Sequence, residues 1–389
     1  MEKKIIFITI FFLILLNSIY TKPSLSQQSL RIGTIIPFTG RWGDYGKECA
    51  RGILDGAKWL NQKEGILGRK IEIILIEDPL RPSELIAAFR KLNESDRILL
   101  LYVYSIETAM DLVAHGHFHR LPMIMGTLPH PLSNPTKYPF IFSITPTPLD
   151  LSKIGMKFLS EKNGLKVRRP KLIFIGYPDF YGKHFLDEAK EFGKSLGIEI
   201  GPDFFVSDFS NQRLIPHILQ PITHYNPDFI FSNLTSKENL ILIQEANNIN
   251  LKSKWLCNMR GFDENLLNFE GILGIQPISP FGEDIPGMAP IKEAHQKWHP
   301  YDSHSISYVE GWATIQVIAE ALKRALPEER LSRDSIKSSF ESFRNFVVGG
   351  LVPPITISAQ DHRPSLESRI FLIKDKKILR FTSFISLMQ

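Results

Sequence analysis

The sequence predicts an α/β protein of two lobes, each built on a parallel sheet flanked by helices. Three observations predict it. Short apolar runs alternate with helical stretches from residue 31 to residue 145, and a second series of the same kind runs from 149 to 277. Between the two lies Thr145-Pro146-Thr147-Pro148, which favours extended backbone and reads as a crossing from one series to the other. Alternating strands and helices argue parallel sheets with helices on both faces.

The opening unit is the best defined. Ile32, Ile35 and Ile36 suit a buried strand over 31–37, where Gly33 leaves room for a close neighbour. A turn over 38–46 carries Gly40, Gly43 and Gly46, whose backbone reaches conformations closed to other residues. A helix over 47–64 puts Cys49, Ile53, Ala57 and Leu60 on one face, and Gly65 and Gly68 end it. A strand over 70–77 completes a right-handed βαβ unit. Ligands of open α/β sheets bind beyond the carboxyl ends of the strands, and the turn sits at such an end.

A helix over 82–92 and a strand over 97–102 follow. Ser105 then caps a helix over 105–117. Strands over 121–125 and 140–145 flank a proline-rich loop. The second series has helices over 149–163, 183–196, 212–223 and 237–248. Its strands run over 171–176, 199–205, 229–233, 254–257 and 271–277. The chain crosses back near 278–281. Helices over 291–298, 307–325 and 335–343 come next, and the 307–325 helix gathers Val309, Ala313 and Val317 on an apolar face. The tail alternates as an antiparallel hairpin, 369–373 and 377–381, turning at 374–376. No short repeat occurs, so the chain is not a solenoid.

Composition sets bounds. The 389 residues suffice for two domains, and 43% hydrophobic with 22% charged residues is ordinary for a globular chain. Lys3 and Lys4 precede an apolar run over 5–16 and a polar segment ending Ser24-Leu25-Ser26, the layout of a secretory signal peptide over 1–26. An uncleaved anchor is the alternative. No cysteine follows the apolar run, which leaves no site for a lipid-modified one. Without 1–26, 43 basic residues face 40 acidic ones, a balance unlike that of a nucleic-acid binder. Cys49 and Cys257 fall in different halves and are expected as free buried thiols.

The words Gly33…Pro37-x-Thr39-Gly40, Tyr45-Gly46, Gly52, Asp55-Gly56-Ala57, Asn61, Gly65-Ile66-Leu67-Gly68-Arg69-Lys70 and Glu77-Asp78 resemble one family. It is the extracytoplasmic solute-binding proteins of ABC transporters, of the branched-chain amino-acid (Leu/Ile/Val-binding) type. The resemblance implies a type I periplasmic binding protein. That means two Rossmann-like lobes, an interlobe cleft and a hinge of three crossings. Lobe one would comprise 30–146 with 278–344, and lobe two 147–277 with 345–389. It further implies an exported, periplasmic or otherwise extracytoplasmic monomer. That monomer would capture a small polar solute, an amino acid or an amide- or carboxylate-like molecule, and hand it to an inner-membrane ABC permease. The alternative is a ligand sensor of the same fold that signals to a partner protein. No enzyme, cofactor or nucleic acid is implied.

The resemblance also implies site residues. Trp42 offers a flat apolar face in the glycine turn. Tyr104 and Ser105 fall where the family holds a ligand carboxylate with a hydroxyl and a helix start, and Ser105 also reads as an ordinary cap. Thr127 falls in the next small-residue loop, where Pro129 replaces a second hydroxyl residue. Tyr181 falls on a cleft-lining tyrosine. Thr235 falls on another cleft position, or is a helix cap. One departure stands out. Met259 occupies the place of the acidic residue that pairs with an amino acid's ammonium group, and a buried ammonium without a partner is costly. Arg260 beside it is either a solvated loop cation or, facing inward, a partner for an anion or carbonyl.

Other chemistry finds less support. Gly176 to Lys183 mimics a phosphate loop with the wrong spacing, and His184 stands where Ser or Thr would be needed. His115 with His119, and His295 with His299, share helix faces but lack the further ligands zinc would want, so no metal is expected. No nucleophile elbow is present.

Overall fold

The computed structural model describes residues 28–79, 81–162, 169–209, 215–326 and 331–388. The expected signal peptide lies outside the described residues. No helix among them is long and apolar enough to cross a membrane.

The first sheet has five parallel strands: β1 (Leu30–Ile36), β2 (Ile71–Glu77), β3 (Leu100–Val103), β4 (Met123–Met125) and β5 (Ile141–Ser143), in the order β2-β1-β3-β4-β5. Gly33 in β1 gives Ile98 room: a Cβ there would stand 2.7 Å from Ile98 Cδ1, which would have to shift. The connections are α1 (Gly43–Gln62), α2 (Pro82–Arg90) and α3 (Ile106–Phe118). Helix α1 starts at Gly43, earlier than its apolar period suggests. Its first turn lies against the end of β1, where a Cβ on Gly46 would stand 2.0 Å from Pro37 O. Two of the three turn glycines thus serve close packing. Only Gly40 has positive φ.

The second lobe begins with α4 (Pro148–Lys162). It continues through β6 (Lys171–Gly176), α5 (Phe180–Lys183), α6 (Leu186–Ser195), β7 (Glu199–Phe205) and α7 (Ile215–Tyr225). Then come β8 (Phe229–Asn233), α8 (Ser236–Asn248), β9 (Lys254–Cys257) and β10 (Leu273–Gln276). Strands β7-β6-β8-β9-β10 are parallel neighbours. The tail then adds β11 (Glu367–Lys374), β12 (Lys377–Arg380) and β13 (Ile385–Ser386), all antiparallel. Asp375 and Lys376 both have positive φ, the geometry of a tight two-residue hairpin.

Between the tail and β10 come α9 (Met288–Trp298), α10 (Ile306–Ala325) and α11 (Arg333–Glu341). They pack with the first lobe: α10 lies along α1, and Phe340 of α11 stacks on Phe142 of β5 at 4.7 Å. The one-faced pattern expected for α10 understates it. Sixteen of its 20 residues are buried, so it is a central helix covered on nearly every side. Each large apolar side chain so buried contributes about 1.5–3 kcal/mol. The crossing segments are laced together. Ser279 N donates to Leu351 O at 2.9 Å, Ser279 Oγ donates to Gly350 O at 2.9 Å, and buried Arg369 donates to Ser279 Oγ at 2.8 Å. His362 is also structural: its ring nitrogens sit 2.8 Å from Ile141 O and 3.1 Å from Glu341 Oε1. Cys49 and Cys257 are buried and unpaired.

Candidate functional site

The carboxyl ends of the two sheets face each other, and the loops after their strands meet. The first meeting follows β1 and β6. Trp42 lies edge-on to Tyr181, ring centres 4.9 Å apart, while Arg41 pairs with Asp179 at 2.7 Å and covers the Tyr177 ring at 3.7 Å. The second joins the start of α1 to the start of α8. Tyr45 Oη lies 2.8 Å from Ser236 Oγ and accepts from Ser236 N at 3.1 Å, and Asp44 pairs with Lys237. The third follows β4 and β9, and it decides the character of the cleft.

Here Arg260 reaches from the second lobe into the first. Its guanidinium grips Glu310 of α10 with both arms, at 2.5 and 2.8 Å. It also donates to Gly126 O at 3.0 Å, approaches Thr127 Oγ1 at 3.4 Å, and lies over the Tyr104 ring at 4.7 Å. The side chains of Arg260 and Glu310 are 6% and 1% exposed. Burial alone would lower the arginine's pKa; the adjoining Glu310 carboxylate, with Tyr104 and Tyr102 beside it, holds Arg260 above its ordinary value. Exposure ranks the three meetings. Arg41–Asp179 and Lys237–Asp44 are partly exposed pairs, each worth about 0–1 kcal/mol. Breaking a buried pair by removing one partner costs about 3–5 kcal/mol. The Trp42–Tyr181 contact adds about 0.5–1.5 kcal/mol.

The lobes are shut. Between Tyr45, Arg260, Gln276 and Ser307 remains a cavity of about 10 Å³, room for little more than one water. Buried Tyr104 Oη has no hydrogen-bond partner among the described residues. A hydroxyl left so costs about 1–3 kcal/mol. A larger hollow of 360 Å³ opens at the cleft's edge beside Thr39, Trp42, Asp78, Ser105 and Asp179.

The expected residues divide accordingly. Tyr104 and Thr127 gather at Arg260. Trp42 and Tyr181 meet each other. Ser105 borders the outer hollow: it caps α3 through Thr108 N at 3.3 Å, and its hydroxyl lies 3.1 Å from Asp78 Oδ2 and 2.7 Å from Thr108 Oγ1. Thr235 sits at the cap position of α8 without a side-chain cap bond, and its amide donates to Tyr177 Oη at 3.1 Å. Met259 is buried beside Arg260. Arg260, open between a solvated loop cation and an inward-facing partner, is buried and faces inward, and the residue missed is its partner Glu310. A glutamate inside the otherwise apolar stretch Tyr308-Val309-Glu310-Gly311-Trp312 was the available signal. His295 and His299 draw in His304, with His299 Nε2 2.9 Å from Asp55. No group among the described residues could hold a metal ion.

A further interlobe contact is titratable. Glu264, after β9, accepts the Ile306 amide of α10 at 3.1 and 3.3 Å. Burial, with Asp263 beside it, pushes its carboxyl up to about 8. A carboxyl raised in the folded state binds its proton more tightly there. Its contribution is therefore full below the ordinary carboxylate value and is lost as pH rises through about 8. The melting temperature of Glu264→Gln, relative to wild type, should rise between about pH 5 and about pH 9. A difference that ignores pH would show that Glu264 titrates as an ordinary carboxylate.

Comparison with known proteins agrees with this architecture. No curated relative matches the sequence. Many solved structures are similar in fold, three of them as follows. A branched-chain amino-acid ABC transporter protein from Thermus thermophilus with bound valine is 17% identical, with a TM-score of 0.85, over 94% of this chain and 98% of that one. A fatty-acid ABC transporter substrate-binding protein from Thermomonospora curvata is 18% identical, with a TM-score of 0.81, over 94% of each chain. A solute-binding protein from R. palustris in complex with benzoate is 16% identical, with a TM-score of 0.77, over 93% and 98%. The family model described as periplasmic binding protein matches residues 29–377. With two α/β lobes meeting at their strand ends and that match over most of its length, the chain belongs to the periplasmic binding protein family, whose members are binders and not enzymes.

Proposed function

We propose that the chain is exported, captures a small polar solute between its lobes and delivers it to an ABC permease. The observation that carries this reading is Arg260, a buried cation sent from one lobe onto groups of the other. A planar fork of donors in a shielded place fits a carboxylate, and valine and benzoate in the structural neighbours share that group. Tyr104 and Thr127 would complete the anion's partners. Trp42 and Tyr181 would pack on the solute's apolar part, with Ser105 and Thr235 framing the rim. Contacts from both lobes would favour the shut form by population shift.

A thermal-shift screen of the chain without 1–26 tests this against amino acids, small carboxylates, short amides and urea. A solute at 100 times its dissociation constant should add about 2.7 kcal/mol. If no member of the panel raises the melting temperature, the reading loses its support.

A further inference from the structure

We propose that Glu310 is a specificity-determining residue: its carboxylate stands on Arg260 where the solute's anionic group is to stand, so a solute enters by exchange and must leave Glu310 matched. The inference rests on the reading of the cleft as a solute site and adds a rule for what that site accepts.

The geometry gives the rule. Both arms of Arg260 are taken by Glu310, and the neighbouring cavity of about 10 Å³ holds no solute. A bound anion must therefore displace the glutamate. The other titratable groups facing the pair, among the described residues, are Tyr102, Tyr104, Tyr181 and Cys49. Burial pushes all four up from their ordinary values, so all are neutral near pH 7 and none brings a positive charge to a freed carboxylate. Two ways remain to keep the site balanced. A solute bearing a cationic group beside its anionic one lies between the partners, anion on Arg260 and cation on Glu310. A plain carboxylate displaces Glu310 only if the glutamate takes a proton from solvent, so one proton is bound with each solute. The first way also accounts for Met259: the carboxylate that would meet an ammonium comes from α10 and not from the loop after β9.

Titration calorimetry in two buffers of different ionisation enthalpy tests the rule on wild type and Glu310→Gln. The probes are leucine, valine and phenylalanine with 4-methylpentanoate, 3-methylbutanoate and 3-phenylpropanoate, the same molecules lacking the amine. Wild type should bind the fitting amino acid without proton uptake. The matching carboxylate should bind about thirtyfold or more weakly, taking up close to one proton. Glu310→Gln should reverse the order and abolish the uptake. Small-angle scattering without any probe adds a second reading. Wild type should be compact and Glu310→Gln, folded by circular dichroism, more open. Carboxylate binding to wild type without proton uptake, an unchanged order in the variant, or identical scattering would each overturn the exchange while leaving the solute reading in place. Binding of no probe to either protein would refute the solute reading, and the exchange with it.

Discussion

Arg260→Met opens the cleft. The substitution keeps an unbranched apolar stem and removes the charged guanidinium, which leaves Glu310 buried in the shut form without its ion-pair partner and strips Gly126 O of its donor. Stranding a buried charge in this way costs about 3–5 kcal/mol. The interlobe ion pairs Arg41–Asp179 and Lys237–Asp44 are partly exposed and worth about 0–1 kcal/mol each, too little by themselves to hold the lobes against that. The chain has an escape that an ordinary core lacks. By parting the lobes it returns Glu310 to water, so global unfolding should register less than the full penalty while scattering registers the opening. The double variant Arg260→Met with Glu310→Leu separates charge from shape. Replacing a buried pair by apolar residues is often neutral or stabilising by about 1–4 kcal/mol, so the double variant should close and melt near wild type. Neither variant should retain a carboxylate solute. An Arg260→Met chain as compact and as stable as wild type would show that the pair does not hold the cleft.

Most strands of the second lobe were legible because they are short apolar runs between breakers; β7, with Gly201, Pro202 and Asp203 inside it, is not. The bounds expected for β6, β7, β8 and β9 coincide with those observed. Periodicity was less informative where contact, not sequence spacing, sets the boundary. Helix α1 begins at Gly43 because its first turn lies on the end of β1, and glycines that looked like conformational freedom are mostly there for closeness. The site was half legible. Tyr104 and Thr127 do gather at one point, but the group they surround belongs to the other lobe, and its partner lies on a helix 50 residues further along. A search for an acidic residue at position 259 examines one loop. The carboxylate present is on an element that reaches the cleft only through tertiary packing, and an apolar period cannot report a single charge within a buried helix.

That packing can itself be tested, because at two glycines the backbones of α10 and α1 come into direct contact. A Cβ on Gly311 would stand 2.0 Å from Cys49 O and 2.9 Å from Ile53 N; one on Gly52 would stand 2.0 Å from Tyr308 O and 2.9 Å from Trp312 N. Both obstacles are backbone, so no rotamer change relieves them and the helices must separate. On an exposed helix, alanine for glycine gains about 0.8–1.0 kcal/mol. Here the sign should reverse: overpacking costs about 1–3 kcal/mol and sometimes more, so Gly311→Ala should lower the denaturation midpoint despite its better helix propensity. The effect should not stop at stability. Glu310 is the neighbouring residue, and a helix pushed off α1 carries its carboxylate away from the position in which Arg260 meets it with both arms. Gly311→Ala should therefore weaken closure as well as folding, whereas Gly52→Ala, on the opposite helix, should disturb the same crossing from the other side and show the same pairing of effects. A rise in melting temperature on Gly311→Ala would mean that the two helices do not touch, and that Glu310 owes its place to something other than this crossing.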